Sequence, residues 1–425
     1  MNRLILIGNG FDKAHGLATS YQEFIDWYWD TWRSKLAKSD KKIERDALCS
    51  FKLKADLAGW YLAWGYHYGI NIGNLNGIKL RDFLESDKFG CEFKQCLFLK
   101  KISQSIESKG WVDIEEEYYT MLKTIRSAKS VGDYTYFGHP EKLNAELLEL
   151  TKYLVDYLSD IQNNSTYEPS DGIERLFYSP ILSRDISVSR LKEYDNHIIN
   201  NLKLDRPQIA KLNKRYYGYD VEDQMRELEE FKRNDYDETT RYNKIINNRF
   251  LLESLSFPNK ILVLNFNYTN TESLYVKDKE GVDVVHIHGD LAHPENIIFG
   301  YGDELDDDYK DMQKTNNNEY LKNIKSIRYL ESERYREVLK FIESSPYQIY
   351  VLGHSCGTSD RTLLNTLFEH RNCISIKPYF YQKDGNDNYL DIIENISRNF
   401  TDMKLMRDLV VNKTFCSPLP QVNKY

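Results

Sequence analysis

Four short polar segments, far apart along the chain, carry residue types from which a nucleotide site can be built. The first is Ile7-Gly8-Asn9-Gly10-Phe11-Asp12. Its glycines permit positive φ and a close backbone approach. A helix starting just after them would aim N–H groups at a phosphate. The full GxGxxG fingerprint is not met, because His15-Gly16 comes late. An ordinary strand-to-helix turn accounts for the segment equally well. Asp12 is either a ligand to a ribose hydroxyl or an N-cap.

The second segment is Leu264-Asn265-Phe266-Asn267-Tyr268-Thr269. Asn265 and Asn267 are two apart and share one side of an extended chain. Their amides can bond ribose hydroxyls or a carboxamide. The competing role is capping of the next helix, which suits Asn270 better than Asn267. The third segment is His286-Ile287-His288-Gly289-Asp290. His288 is the candidate general base, since histidine titrates near neutral pH, and His286 is expected to orient the loop. His-x-His-x-Asp also looks like part of a metal-ligand run, with His293 nearby. Leu291 stands where a binuclear hydrolase would need a further His, so no metal is expected. The fourth segment, Gly353-His354-Ser355-Cys356-Gly357, matches GxSxG. The sole histidine after Ser355 is His370, on the helix that leaves the turn, so no triad can be completed. Ser355 is better read as a ribose contact, with Asp360 capping the helix or orienting the loop.

Such segments work together only if strands deliver them to one edge. Apolar runs predict strands at Leu4–Gly8, Ile261–Phe266, Val282–His288, Ile297–Tyr301, Gln348–Gly353 and Ile374–Tyr381. Ile261-Leu262-Val263-Leu264 suits a strand buried on both faces. Helical stretches at about 317–344, 360–369 and 389–399 alternate with them. The expected class is α/β, a Rossmann-like parallel sheet with flanking helices. In such a sheet the carboxyl ends of the strands line one crevice. Further helices are expected at 20–35, 45–68, 80–109 and 114–127, the first with a Ser20/Glu23 capping box. Trp111 and Glu115 would share a helical face, Trp111 packing and Glu115 bonding a loop. The acidic run Asp303–Asp308 reads as a solvated loop. The expected organisation is 1–129, the first part of the sheet domain with helical additions; 130–255, a mostly helical insertion or cap with helices at 140–163 and 221–231; and 256–425, the second part of the sheet domain.

A net charge of −8 excludes a broad basic face for nucleic acid. The apolar runs fall short of the roughly 20 residues of a membrane helix. The opening is too short for a signal-peptide core, so a cytoplasmic location is expected. Six cysteines without a CxxC pair read as reduced thiols. The expected partner is a nucleotide; a phage or host protein as trigger, and a homo-oligomer, stay open.

Leu6-Ile7-Gly8-Asn9-Gly10-Phe11-Asp12, continued by Ala14-His15-Gly16-Leu17-Ala18-Thr19-Ser20-Tyr21, resembles the opening signature of the bacteriophage abortive-infection AbiH family. The segments Asn265–Thr269, His286–Gly289 and Gly353–Ser355 fit the same family. That family in turn looks like a distant branch of the sirtuin-like NAD-binding fold. Gly8-Asn9-Gly10 is similar to the sirtuin GAG turn, and Gly16-Leu17 begins eight positions after Gly8, the sirtuin spacing. Phe266, Asn267 and Thr269 parallel the Thr-Gln-Asn-x-Asp motif. His288-Gly289 parallels the His-Gly that holds the base, and Gly353 and Ser355 parallel the late Gly-x-Ser loop. Thr269 departs from the sirtuin Asp, and the four-Cys zinc module is missing. The resemblance therefore implies phage defence and NAD as substrate or ligand, with hydrolysis rather than deacylation. It implies catalytic roles for His288 and Asn267. Gly8, Asn9, Gly10, Phe11, Asp12, Asn265, Thr269, Gly353, Ser355 and Asp360 would line the nucleotide, the Gly8 and Gly10 amides cradling its pyrophosphate. The alternative is a non-catalytic nucleotide sensor that engages a partner protein, which the Thr269 change favours.

Overall fold

All six residues from Asn2 to Ile7 are buried, as expected of a strand covered on both faces. In the computed structural model this strand is the middle of a five-stranded parallel sheet. The structure describes residues 1–38, 43–53, 75, 77–85, 91–128, 139–201, 256–276 and 279–422, with a few positions between 237 and 247. The described strands of three or more residues are β1 (Asn2–Ile7), β2 (Ile43–Arg45), β3 (Cys49–Leu53), β4 (Cys91–Gln95), β5 (Ile261–Asn265), β6 (Val282–His286), β7 (Tyr347–Leu352) and β8 (Cys373–Tyr379). The large sheet runs β6-β5-β1-β7-β8, and every neighbouring pair is parallel. Counted in chain order this is 3-2-1-4-5, so the direction of winding reverses between β1 and β7. The register levels the strand ends. Ile7 pairs with Asn265 and Leu352, and Asn265 pairs with His286. The four polar segments thus leave the sheet from one row.

The chain forms two compact units. The sheet unit comprises Met1–Leu17, Thr166–Ile297 and Arg328–Tyr425; the helical unit comprises Ala18–Ser165 and Ile298–Ile327. The helical unit contains the long helices Tyr21–Lys38, Leu97–Lys109, Ile114–Ser127 and Pro140–Asn164. Ser20 and Glu23 form the expected capping box, with Ser20 N–H donating to Glu23 at 2.9 Å. Of the 130–255 stretch, 202–255 apart from a few positions lies outside the described residues, and so does the helix expected at 221–231. Among the described residues no helix is long and apolar enough to cross a membrane.

Several expected elements are replaced. Where a helix was expected from residue 45, β2 and β3 form a hairpin, joined to β4; 54–68 lies outside the described residues. Asp46 makes the turn, its Oδ1 accepting from Leu48 and Cys49 N–H at 2.8 and 2.7 Å. The same β4 divides the helix expected at 80–109 into Ile78–Glu85 and Leu97–Lys109. Non-local pairing with β3 overrides the local helical pattern there. Ile297–Tyr301 is no strand, because a Pro294 turn precedes it and Tyr301 makes a lone bridge to Ile324. The helix expected at 317–344 is several short turns followed by Arg334–Ser344. The acidic run is not a solvated loop. Asp306 caps the helix Asp307–Lys314 through Asp308 N–H, where carboxylates favour a helix N-terminus. Trp111 precedes its helix and is 55% exposed, so it does not pack. Glu115 does bond a loop, accepting from Gly300 N–H at 3.1 Å.

One buried cation ties the sheet to its covering helix. Arg3, on β1, is fully buried. Its Nη1 donates to the carbonyls of Phe177 (3.1 Å) and Ser179 (2.6 Å), where the helix Asp171–Phe177 ends. Its Nη2 reaches Gln348 Oε1 (3.3 Å) and Tyr350 OH (3.1 Å) on β7. The guanidinium also lies 4.1 Å from the Tyr350 ring centroid. The helix's last carbonyls lack intrahelical partners and carry its negative dipole end. A forked, planar donor answers both needs, and a lysine ammonium cannot. Arg3→Lys is expected to lower the unfolding free energy by about 2–4 kcal/mol. A fall in the urea midpoint with an unchanged slope would show it, and an unmoved midpoint would count against this role.

Candidate functional site

The turns that follow β1 and β7 meet backbone to backbone. Gly10 N–H donates to the Gly353 carbonyl at 2.8 Å, Gly8 N–H to the Leu352 carbonyl at 3.4 Å, and Phe11 N–H to the Gly8 carbonyl at 2.8 Å. A Cβ on Gly10 would sit 2.8 Å from the Gly353 oxygen, and one on Gly8 2.6 Å from His354 Cα. Gly353 has φ +72°, and a Cβ there would be 2.1 Å from Phe11 N. The glycines are thus required by the contact between turns. The Gly8 and Gly10 amides, expected to cradle a pyrophosphate, donate within the protein. Phe11 is also not a surface contact: its buried ring packs against His15, Tyr275 and Phe177. Asn9 and Ser355 lie exposed beside these turns.

At the ends of β1 and β5 lies a chain of polar groups, of which Asp12, Asn265, Thr269 and Glu272 are buried. Asp12 Oδ2 accepts from Thr269 Oγ1 at 2.5 Å. Asn265 Nδ2 donates to the Thr269 carbonyl (3.0 Å) and to Glu272 Oε2 (2.7 Å), and its Oδ1 accepts from Asn267 N–H (2.8 Å). Asn267 Nδ2 donates to the Gly8 carbonyl at 3.0 Å. Glu272 Oε1 lies 3.0 Å from His286 Nε2. Asp12 is no N-cap, since the helix Asn9–Ala14 starts at Gly8 without a side-chain cap. Burial pushes the Asp12 carboxyl up to about 6, and the charge of Glu272 adds to this, against the lowering bond from Thr269. At His286 burial acts to lower the imidazole's proton affinity. The bond and charge of Glu272 outweigh it and raise the pKa.

The second cluster joins β6 to β7. His288, buried, places Nε2 3.2 Å from Asp360 Oδ1 and 3.1 Å from Tyr329 OH. The other oxygen of Asp360 lies 3.5 Å from His354 Nε2. His354 Nδ1 accepts from Cys356 N–H at 2.9 Å, which leaves the ring proton on Nε2, toward the carboxylate. Phe266 fills the space between, its centroid 4.1 Å from the His354 ring and 5.4 Å from the His288 ring. Asp360 orients this loop and makes no cap bond to the helix Arg361–Phe368. Cys356 has φ +55°, a conformation costly for a residue with a Cβ, and Asn399 holds its carbonyl at 2.7 Å. Burial pushes the Cys356 thiol up, away from nucleophilic use.

The structure therefore brings Gly8, Gly10, Asn267 and Gly353 into contact, and Asp12 with Thr269, whose carbonyl Asn265 bonds in turn. It joins His288 to Asp360 and, through it, to the loop of Ser355. The residues of the His-x-His-x-Asp run part company. His286 faces Glu272, His288 faces Asp360, and Asp290 pairs with His293 and Arg334. His370 pairs with Glu343 rather than with Ser355. Sequence reasoning missed Glu272, Tyr329 and the role of His354. Thr269-x-x-Glu272 has capping-box spacing, the one available signal. Here Thr269 turns instead to Asp12 and Glu272 to Asn265 and His286. Tyr329 had no signal, being local to nothing it serves.

Gly353→Ala is expected to destabilise strongly, by about 2–4 kcal/mol, because the new methyl would strike the Phe11 backbone at positive φ. A thermal melt equal to that of the native chain would refute the packing argument. Asp12 gives a pH signature. Its unfolded pKa is about 3.9 and its folded value about 6. Below pH 4 both states are protonated and no cost arises. Between 4 and 6 the cost grows, and above 6 the native state holds a buried anion. Asp12→Asn should thus be more stable than the native chain at pH 7–8, by up to about 3 kcal/mol. The gap should close below about pH 4; urea midpoints across pH measure it, and a pH-independent gap would speak against a raised carboxyl.

The family model described as "Bacteriophage abortive infection AbiH" matches residues 4–381. No curated protein and no solved structure matches the chain. The matched stretch contains all four strand-end segments, from the Gly8 turn to the Ser355 loop. The chain belongs to the bacteriophage abortive infection AbiH family.

Proposed function

We propose that the chain acts in phage defence through a nucleotide site at the carboxyl ends of β1, β5, β6 and β7, and that the site hydrolyses NAD or a related nucleotide. The strand order 3-2-1-4-5 supports a Rossmann-like reading, because dinucleotides bind where such a sheet reverses its winding. The sirtuin-like motifs support NAD within that class. The observation that carries the reaction is His288, buried with Nε2 3.2 Å from Asp360 Oδ1 beside that reversal. A carboxylate on one ring nitrogen fixes the tautomer and makes the other nitrogen the proton acceptor.

The chemistry balances with water as co-substrate. The bond from ribose C1′ to the nicotinamide nitrogen breaks, and its electron pair leaves with nicotinamide. The oxygen of water bonds C1′. Its proton passes to His288 and then to solvent, and Asp360 stabilises the imidazolium without taking the proton. Asn267 is held by its Nδ2 bond to the Gly8 carbonyl, 3.0 Å long, and its amide oxygen is the acceptor for water or a ribose hydroxyl. With the Gly8 and Gly10 amides engaged, the exposed Asn9 and Ser355 are the groups that would meet the phosphates.

The second reading is a nucleotide sensor without turnover. It is favoured by those same engaged amides and by Thr269, whose hydroxyl serves Asp12. Nicotinamide release from NAD by the purified chain separates the two. Turnover is expected, and His288→Ala should lower it by about 10²–10⁴. Asn267→Ala and Asp360→Asn should lower it less. Binding without release favours the sensor, and release untouched in His288→Ala removes the site assignment.

A further inference from the structure

The loop that carries His288 is gripped by another stretch of chain. Tyr329 OH lies 3.1 Å from His288 Nε2. Arg334 Nη2 lies 3.3 Å from Asp290 Oδ2. Tyr329 is buried, and its ring stacks on Tyr335 at 5.6 Å with an interplanar angle of 10°. A hydroxyl and a carboxylate thus converge on one imidazole nitrogen. Gly289, at φ +91°, packs where a Cβ would be 2.7 Å from the Asn296 carbonyl oxygen, so the loop cannot relax there.

We infer that Tyr329 is a positioning residue for His288, its hydroxyl and its stacked ring fixing how the imidazole is aimed. This rests on the reading of His288 as the base of the site. A change that loosens Tyr329 lets the imidazole turn from its aim.

The full chain labelled with ¹⁵N-histidine gives a direct readout, with His288 identified among the nine histidines by the signal lost in His288→Gln. Tyr329→Phe keeps the ring and removes the hydroxyl. It is expected to shift the His288 ring-nitrogen signals and to speed amide exchange across 287–297 by roughly five- to tenfold, the effect of one lost hydrogen bond on local opening. Unmoved His288 signals in Tyr329→Phe would overturn the positioning role. Both measurements are made without NAD. A native chain that releases no nicotinamide but shows these shifts loses the hydrolase reading and keeps the clamp.

Discussion

Two turns meet where the sheet reverses its winding, and neither tolerates a side chain. Gly10 donates to Gly353 across that contact, and a Cβ at Gly8, Gly10 or Gly353 would strike backbone. Everything else at the strand ends is placed by it. The contact seats the Gly8 carbonyl against Asn267, closes the helix Asn9–Ala14 onto the core through Phe11, and sets where the loop after Gly353 begins. The parallel register does the rest, since Ile7, Asn265, His286 and Leu352 share one row.

The polar groups at this edge are costly to bury, and the structure meets that cost by pairing them. An unpaired buried polar group costs roughly 1–3 kcal/mol, so the fold cannot leave them idle. Asn265 uses both ends of its amide, and Glu272 uses both oxygens. Asp360 divides its oxygens between two histidines. Asp12 departs from this: Oδ1 has no bond and the carboxyl is pushed up to about 6. Its second oxygen is sealed from water, so the cost is carried as a shifted proton affinity and not relieved by solvent. Strain is stored in the same place, at the positive φ of Cys356.

Much of the α/β core is legible in the sequence. β1, β5, β6, β7 and β8 all coincide with the predicted apolar runs to within a residue or two at their ends; β1, β5, β7 and β8 are buried along their whole length, and strands covered on both faces are largely apolar. The capping box of Ser20 with Glu23 also reads correctly. The hairpin of β2 and β3 does not, since Asp46 and a distant partner strand override a local periodicity. Nor does the division of 317–344 into short turns, where no single breaker marks the sequence.

Local pattern alone says which residue types can gather at one edge, and the motifs place the chain in its family. Glycines, asparagines and histidines after apolar runs mark strand ends, and those are properties of nearest neighbours along the chain. What each residue is bonded to was settled in three dimensions. Folding turned the Gly8 and Gly10 amides inward, gave Thr269 to Asp12, and supplied Glu272, His354 and Tyr329 as partners. Hydrogen bonds are short-ranged and directional, and these partners lie up to hundreds of residues apart in the chain, Thr269 from Asp12 by 257. No local pattern encodes such a pairing; it exists once the sheet has set the register.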